Sequence, residues 1–219
     1  TFAISMENHT PHNAEKYSPS ERTVSFSAPL TPEATEALAA TSQGCANASR
    51  ALGELCDFFR DYDEPTVILF FGDHRPGLGV EGEGLDRVYS QLYDAAGEWE
   101  GRSTLEQMAE LRTTSYLIWA NDPSLLPAQS GAWSDTSSNY FGLSVLDAAG
   151  VAKPLYWRLL EQLNRTRLMD TGEYTMGVDR LPALSLPMEG EEYKRLTRMS
   201  AIFQNVLYGN NAFAQRLAR

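Results

Sequence analysis

Six consecutive residues, Thr66-Val-Ile-Leu-Phe-Phe71, are β-branched, aliphatic or aromatic, and they run directly into Gly72-Asp-His-Arg-Pro-Gly77. An apolar run without alternation, closed by glycine, is the pattern of a strand buried on both faces, so a central, parallel strand is predicted here. Parallel neighbours need crossover helices, and the flanking sequence supplies them. Thr31 can cap a helix whose first position suits Pro32, and apolar residues recur at helical spacing through Phe59, either unbroken or interrupted near Gly44. A second helix is predicted from Leu85 to Ala95, followed by a turn and a strand over Thr113–Ala120. Strand, helix, strand, helix describes an α/β layered domain.

The remaining chain fits the same plan. Thr1–Met6 is an apolar, β-compatible run that would deliver the loop Glu7-Asn-His-Thr-Pro-His12. Helical spacing returns over Asn139–Ala149, with Gly150 as a C-cap, and over Pro154–Leu163. Short strands are expected within residues 170–188 and a final helix from Glu191 to Leu207. The reading is one unit over residues 1–219, with a core at about 1–165 and a smaller part at about 170–219. Because a domain seldom opens on a core strand, the chain is expected to be the C-terminal part of a longer one.

Charge narrows the chemistry. A formal net charge of −11 opposes nucleic acid, whose binders cluster Lys and Arg to displace counterions from phosphates. An acidic chain can still handle a phosphate if a metal ion reverses the potential locally. No run of about 18 apolar residues is present, so none of these residues is expected to span a bilayer. Cys45 and Cys56 lie eleven residues apart on one predicted helix, roughly 16 Å along its axis, too far to bridge, and are expected to be buried thiols.

Ligands in open α/β sheets bind beyond the carboxyl ends of strands, which draws attention to Asp73 and His74. One carboxylate oxygen and one imidazole nitrogen make two ligands for a divalent cation, and further ligands must come from elsewhere. His9 can donate to a phosphate oxygen, protonate a leaving alkoxide or simply sit in a loop network. Arg75 suits a phosphate or headgroup contact as well as it suits a solvated loop. His12 is expected to be exposed, Trp119 and Trp157 to be core residues, and Asn121 to belong to an Asn-Asp-Pro turn.

The string Val67-Ile-Leu-Phe-Phe-Gly-Asp-His-Arg-Pro-Gly77 resembles the strand and GDH-x-P-G signature of the lipoteichoic acid synthase and phosphoglycerol transferase family. Other stretches follow in that family's order: Ala3–Pro11 resembles its strand with NH-x-P, Ser115–Asn121 its P-x-x-I-W-x-N strand, Ser138–Gly150 a helix, and Leu207-Tyr-Gly209 its closing segment. The resemblance implies an alkaline-phosphatase-like (sulfatase) fold, a layered sheet with flanking helices. It also implies transfer of a phosphoglycerol group from phosphatidylglycerol, through a covalent threonine intermediate, to an envelope polymer or glycan. Asp73 and His74 would then ligate a divalent metal, manganese first with magnesium or zinc as alternatives, and His9 would lie against the substrate phosphate, while Arg75, which departs from the family's pattern, is a substrate-binding candidate on its own chemistry. The family's threonine precedes NH-x-P by more residues than this chain provides, so no nucleophile is expected within it.

The parent protein is accordingly expected at the extracytoplasmic face of a bacterial membrane, anchored through segments upstream of this one. Its partners would be a glycerophospholipid and a polymer or glycan acceptor. Two departures from the pattern stand out: His12 where the family usually has an aromatic residue, and Arg75 where relatives carry an apolar residue or tyrosine. A sulfatase or phosphoethanolamine transferase on the same scaffold, or a non-catalytic segment that binds glycerophosphate polymer, are the competing readings.

Overall fold

The computed structural model describes residues 1–9, 12, 15–25, 30–76, 86–126, 135–165, 167–170, 174–177 and 182–184. They fall into two compact units, divided between Asp122 and Pro123.

The first unit is built on α1, Pro32–Arg60, a single helix of 29 residues. Thr31 caps it by accepting from Ala34 N at 3.3 Å, and Pro32 takes the first turn, where its missing N–H costs nothing. Ala34, Ala37, Ala40 and Gly44 are buried on one face. There Ala34 and Ala37 pack with Val88, flanked by Leu30, Leu38, Tyr89 and Leu92, so the start of α1 lies against α2, Asp86–Ala95. The helix runs unbroken through Gly44. A β-carbon at that position would collide with Asn8 Oδ1, so the glycine serves a close approach of the N-terminal loop.

Strand β1, Val67–Phe71, forms as expected, but its neighbour does not run parallel. It pairs antiparallel with β2, Tyr116–Ala120, in the register Val67↔Ala120 to Phe71↔Tyr116. One helix between two strands returns the chain to a parallel start; among the described residues there are two, α2 and α3, Thr104–Leu111, and the second reverses the direction again. The turn expected before β2 is in fact this helix, opened by a capping box between Ser103 and Glu106. Nor is β1 buried on both faces. Phe70 stands opposite Leu117 in the ladder, and the two are 40% and 43% exposed on one side of the ribbon. Unbroken apolarity marks both faces as oily without supplying a layer to cover each.

Thr1–Met6 forms no strand, and Phe2, Ile4 and Met6 are exposed. Extended backbone becomes a strand only by pairing, and among the described residues this run has no ladder partner. At the other end of the unit Asn121 does more than turn the chain. Its Oδ1 accepts from Thr66 N at 2.8 Å, and its Nδ2 donates to the carbonyls of Tyr62 and Glu64 at 3.0 Å each, closing the entry to β1. Cys45 is exposed and Cys56 half-buried, against the expectation of burial.

In the second unit a short 3-10 turn, Ser138–Tyr140, leads into α4, Phe141–Ala148. Gly150 ends it at φ +64, where Gly150 N bonds Asp147 O and Val151 N bonds Leu146 O, a Schellman closure. Helix α5, Leu155–Asn164, packs Leu160 and Leu163 on Tyr140 and Leu143, with Trp157 against the same cluster. Gly142 leaves room for the Trp157 ring. Lys153 joins the two helices through Asp147 at 2.7 Å and Glu161 at 2.6 Å. Strands β3 (Arg167–Asp170), β4 (Tyr174–Gly177) and β5 (Pro182–Leu184) form an antiparallel meander where short strands were expected. The helix expected at 191–207, the segment Leu207-Tyr-Gly209, Pro11 and residues 77–85 lie outside the described residues.

Candidate functional site

Gly72 is the last residue held by the β1–β2 ladder. Its N–H donates to Ser115 O at 3.2 Å, and its carbonyl accepts from Thr114 Oγ1 at 2.8 Å. A β-carbon on residue 72 would approach Thr114 Oγ1 to 3.0 Å, so glycine permits this close seat. Beyond it Asp73 and His74 project into solvent, with side chains 83% and 76% exposed.

The pair is ordered by short local bonds. Asp73 Oδ1 accepts from His74 N at 3.0 Å, which leaves Oδ2 outward, and His74 Nδ1 lies 2.8 Å from the carbonyl of Arg75. A carbonyl only accepts, so Nδ1 is the nitrogen that donates, and in the neutral ring Nε2 is then the one that presents a lone pair. Nε2 and Asp73 Oδ2 are 3.6 Å apart. Two donors each about 2.1 Å from one tetrahedral cation would be separated by roughly 3.4 Å, so the spacing suits a shared divalent ion. Among the described residues no three His, Cys, Asp or Glu side chains converge in a way that could hold a metal ion, so Asp73 and His74 stand there as a pair.

Arg75 was expected to reach a phosphate or headgroup, but its guanidinium is occupied within the chain. Nε donates to Thr113 O at 2.7 Å, Nη1 to Tyr93 Oη at 2.8 Å and Nη2 to Glu110 Oε1 at 3.0 Å. Burial pushes the Tyr93 and Tyr89 phenols above their usual range, so both stay neutral beside it. Nothing in the one-dimensional pattern marks Tyr93 and Glu110 as its partners, although the Ser103–Glu106 capping box signals the helix that carries Glu110.

His9 sits in a separate loop of the same unit, seated on the middle of α1. Glu7 Oε1 accepts from Tyr17 Oη and from Asn47 Nδ2, each at 2.8 Å, and Lys16 Nζ donates to His9 O at 2.6 Å. The two hydrogen bonds hold the Glu7 carboxyl below its ordinary range. Burial, with Glu7 alongside, pushes the Tyr17 phenol up to about 12. His9 is exposed and is not a third donor beside Asp73 and His74.

His12 corrects another expectation. Both its ring nitrogens are closed off from water with no hydrogen-bond partner, and burial, assisted by the positive charges of Lys16 and His9, holds its pKa below the usual imidazole range. The neutral ring is the form such a setting tolerates. Trp157 is partly buried against the α4–α5 cluster, as expected of a core residue, and Trp119 is partly buried on β2.

Comparison with known proteins bears on this geometry. A curated relative, "Putative cyclic beta-1,2-glucan modification protein" of Rhizobium meliloti (strain 1021), is 26% identical over 171 residues, which make up 77% of this chain and 25% of that protein. The chain thus spans about a quarter of the length of the curated relative it matches. No solved structure matches it. The family described as Sulfatase matches residues 1–151, a stretch that contains His9, the β1 exit and Asp73–His74 and amounts to more than two thirds of the chain. With mixed helices and strands, and polar residues presented where β1 ends, this chain belongs to the sulfatase family, with an α/β fold of the alkaline-phosphatase type.

Proposed function

We propose that the chain is part of a metal-dependent phosphoglycerol transferase that moves the group from a glycerophospholipid onto a glycan or envelope polymer. The observation that carries this reading is the pairing of Asp73 Oδ2 with a His74 Nε2 whose lone pair is freed by the Nδ1 bond to Arg75 O. Sulfatase-family enzymes generally use a divalent metal, and a nitrogen donor disfavours calcium, so manganese, then zinc or magnesium, is the expected ion. Bound there, it would offset charge on the phosphate and lower the pKa of an attacking hydroxyl.

Asp73 and His74 hold the ion, and exposed His9 meets the phosphate or the departing alkoxide. On this reading a threonine is the nucleophile, as in the phosphoglycerol transferases the chain resembles, and none of the described residues is assigned that role. The relative's printed name, a glucan modification protein, supports a glucan-type acceptor. A lipid donor places the reaction at the extracytoplasmic membrane surface, reached through other segments of the parent. Among the described residues no helix is long and apolar enough to cross a membrane.

Calorimetric titration with Mn2+ tests the ligands. Asp73→Asn and His74→Ala should each weaken binding at least about tenfold, since either change removes one of a few ligands. In the full-length parent, phosphatidylglycerol should yield diacylglycerol as glycan acquires phosphoglycerol. Cleavage of sulfate esters without any action on the glycerophospholipid would replace this reading with a sulfatase.

A further inference from the structure

Asp73 and His74 form a two-residue span between two fixed points. The near anchor is Gly72, tied to Ser115 and Thr114 of the segment leading into β2. The far anchor is Arg75, whose three guanidinium nitrogens reach three places: Thr113 O before β2, Tyr93 on α2 and Glu110 on α3. The network closes on itself, for Tyr93 Oη donates to Glu110 Oε1 at 2.9 Å and Arg102 Nη1 approaches Glu110 Oε2 at 3.5 Å. Aromatic faces complete the seat, with the Arg75 guanidinium carbon 5.4 Å from the Tyr89 ring centroid and 5.7 Å from that of Tyr93. Tyr89 Oη also donates to Pro76 O at 2.9 Å, which fixes the next peptide.

We propose that Arg75 is a positioning residue for the cation site: its side chain pins the peptide whose carbonyl holds His74 Nδ1–H, and so aims Nε2 beside Asp73 Oδ2. The proposal rests on the reading of Asp73 and His74 as metal ligands. An exposed Asp-His pair would otherwise sample many rotamers, and a cation would have to order both side chains on binding. The guanidinium fork is needed because one ammonium cannot serve a carbonyl, a phenol and a carboxylate lying in different directions. This assignment accounts for an arginine whose guanidinium nitrogens are all turned to protein acceptors one residue from the candidate ligands.

The test uses the 219-residue chain with 15N-labelled histidine, its Arg75→Lys and Glu110→Gln variants, and Arg22→Lys as a control. Arg22 bonds Glu36 at 2.9 Å and Tyr17 O at 3.2 Å, so its loss reports general destabilisation away from the β1 exit. At roughly pH 8, where imidazole is neutral, His74 should show the Nδ1–H tautomer in the parent chain and in Arg22→Lys. Arg75→Lys should shift it toward the Nε2–H form and weaken Mn2+ binding about tenfold, and Glu110→Gln should do so to a smaller degree.

An unchanged tautomer together with Mn2+ affinity within about twofold of the parent, in Arg75→Lys or, should that variant fail to fold, in Glu110→Gln, would overturn the proposal. Equal losses in Arg22→Lys would overturn it too, by reducing the effect to global stability. If His74→Ala leaves Mn2+ binding intact, the ligand reading is what fails, and the tautomer measurement still decides whether Arg75 sets the ring.

Discussion

An imidazole binds a cation only through a nitrogen without a proton, so the fate of one hydrogen decides what His74 can do. The Nδ1 contact to Arg75 O makes that decision locally, three bonds from the chain that β1 delivers. His12 has the opposite circumstance, with both ring nitrogens enclosed and no acceptor for a second proton. Its folded pKa lies below the ordinary 6.5, with Lys16 and His9 as the facing positive groups. The unfolded chain therefore takes up a proton, as pH falls past that value, that the folded chain refuses. Stability should drop below about pH 6.5 and level off once the buried ring also protonates. Melting temperatures measured over that range should fall less steeply for His12→Gln, and parallel curves would show that the ring titrates normally.

Helix α1 contains two glycines, Gly44 and Gly53, whose surroundings in the fold differ. Gly53 has open space where a β-carbon would go, whereas at Gly44 it would strike Asn8 and crowd the Tyr17 hydroxyl. Gly53→Ala should therefore stabilise by about 0.5–1 kcal/mol, the ordinary gain of replacing a mid-helix glycine. Gly44→Ala should instead destabilise, by about 1–3 kcal/mol, as overpacking displaces the Asn8 loop from the helix. Chemical denaturation of the two variants checks both signs. The ends of elements were easier to read. Thr31-Pro32 at the start of α1 and Gly150 after α4 act through bonds to residues within one turn, so the sequence alone announces them. The capping box at Ser103 is equally local, yet the eight residues of α3 give too weak a period to distinguish the helix from a turn. The same weak signal leaves the reversal that makes β2 antiparallel to β1 without a local mark.

At the scale of the molecule, Asp73, His74, Arg75 and the hydrogen-bond partners described for them all belong to the unit ending at Asp122. A segment of residues 1–122 should consequently bind Mn2+ within about threefold of the whole chain, a modest difference where no ligand is lost. Loss of binding on that truncation, with the segment still folded by amide spectra, would mean that ligands come from beyond Asp122. Sequence by itself determined the apolar β1 run, the Asp-His pair at its exit, the Thr31-Pro32 and Gly150 caps and the sulfatase-type domain, because each depends on neighbours along the chain or on an unbroken string. Tertiary structure alone decided the direction of β2, the exposure of Phe70, the burial of His12, the reason for Gly44 and the occupation of Arg75. Those depend on which residues meet across dozens of intervening positions, and a side chain's partner there is chosen by packing and by the need to satisfy buried polar groups, for which the linear order carries no local mark.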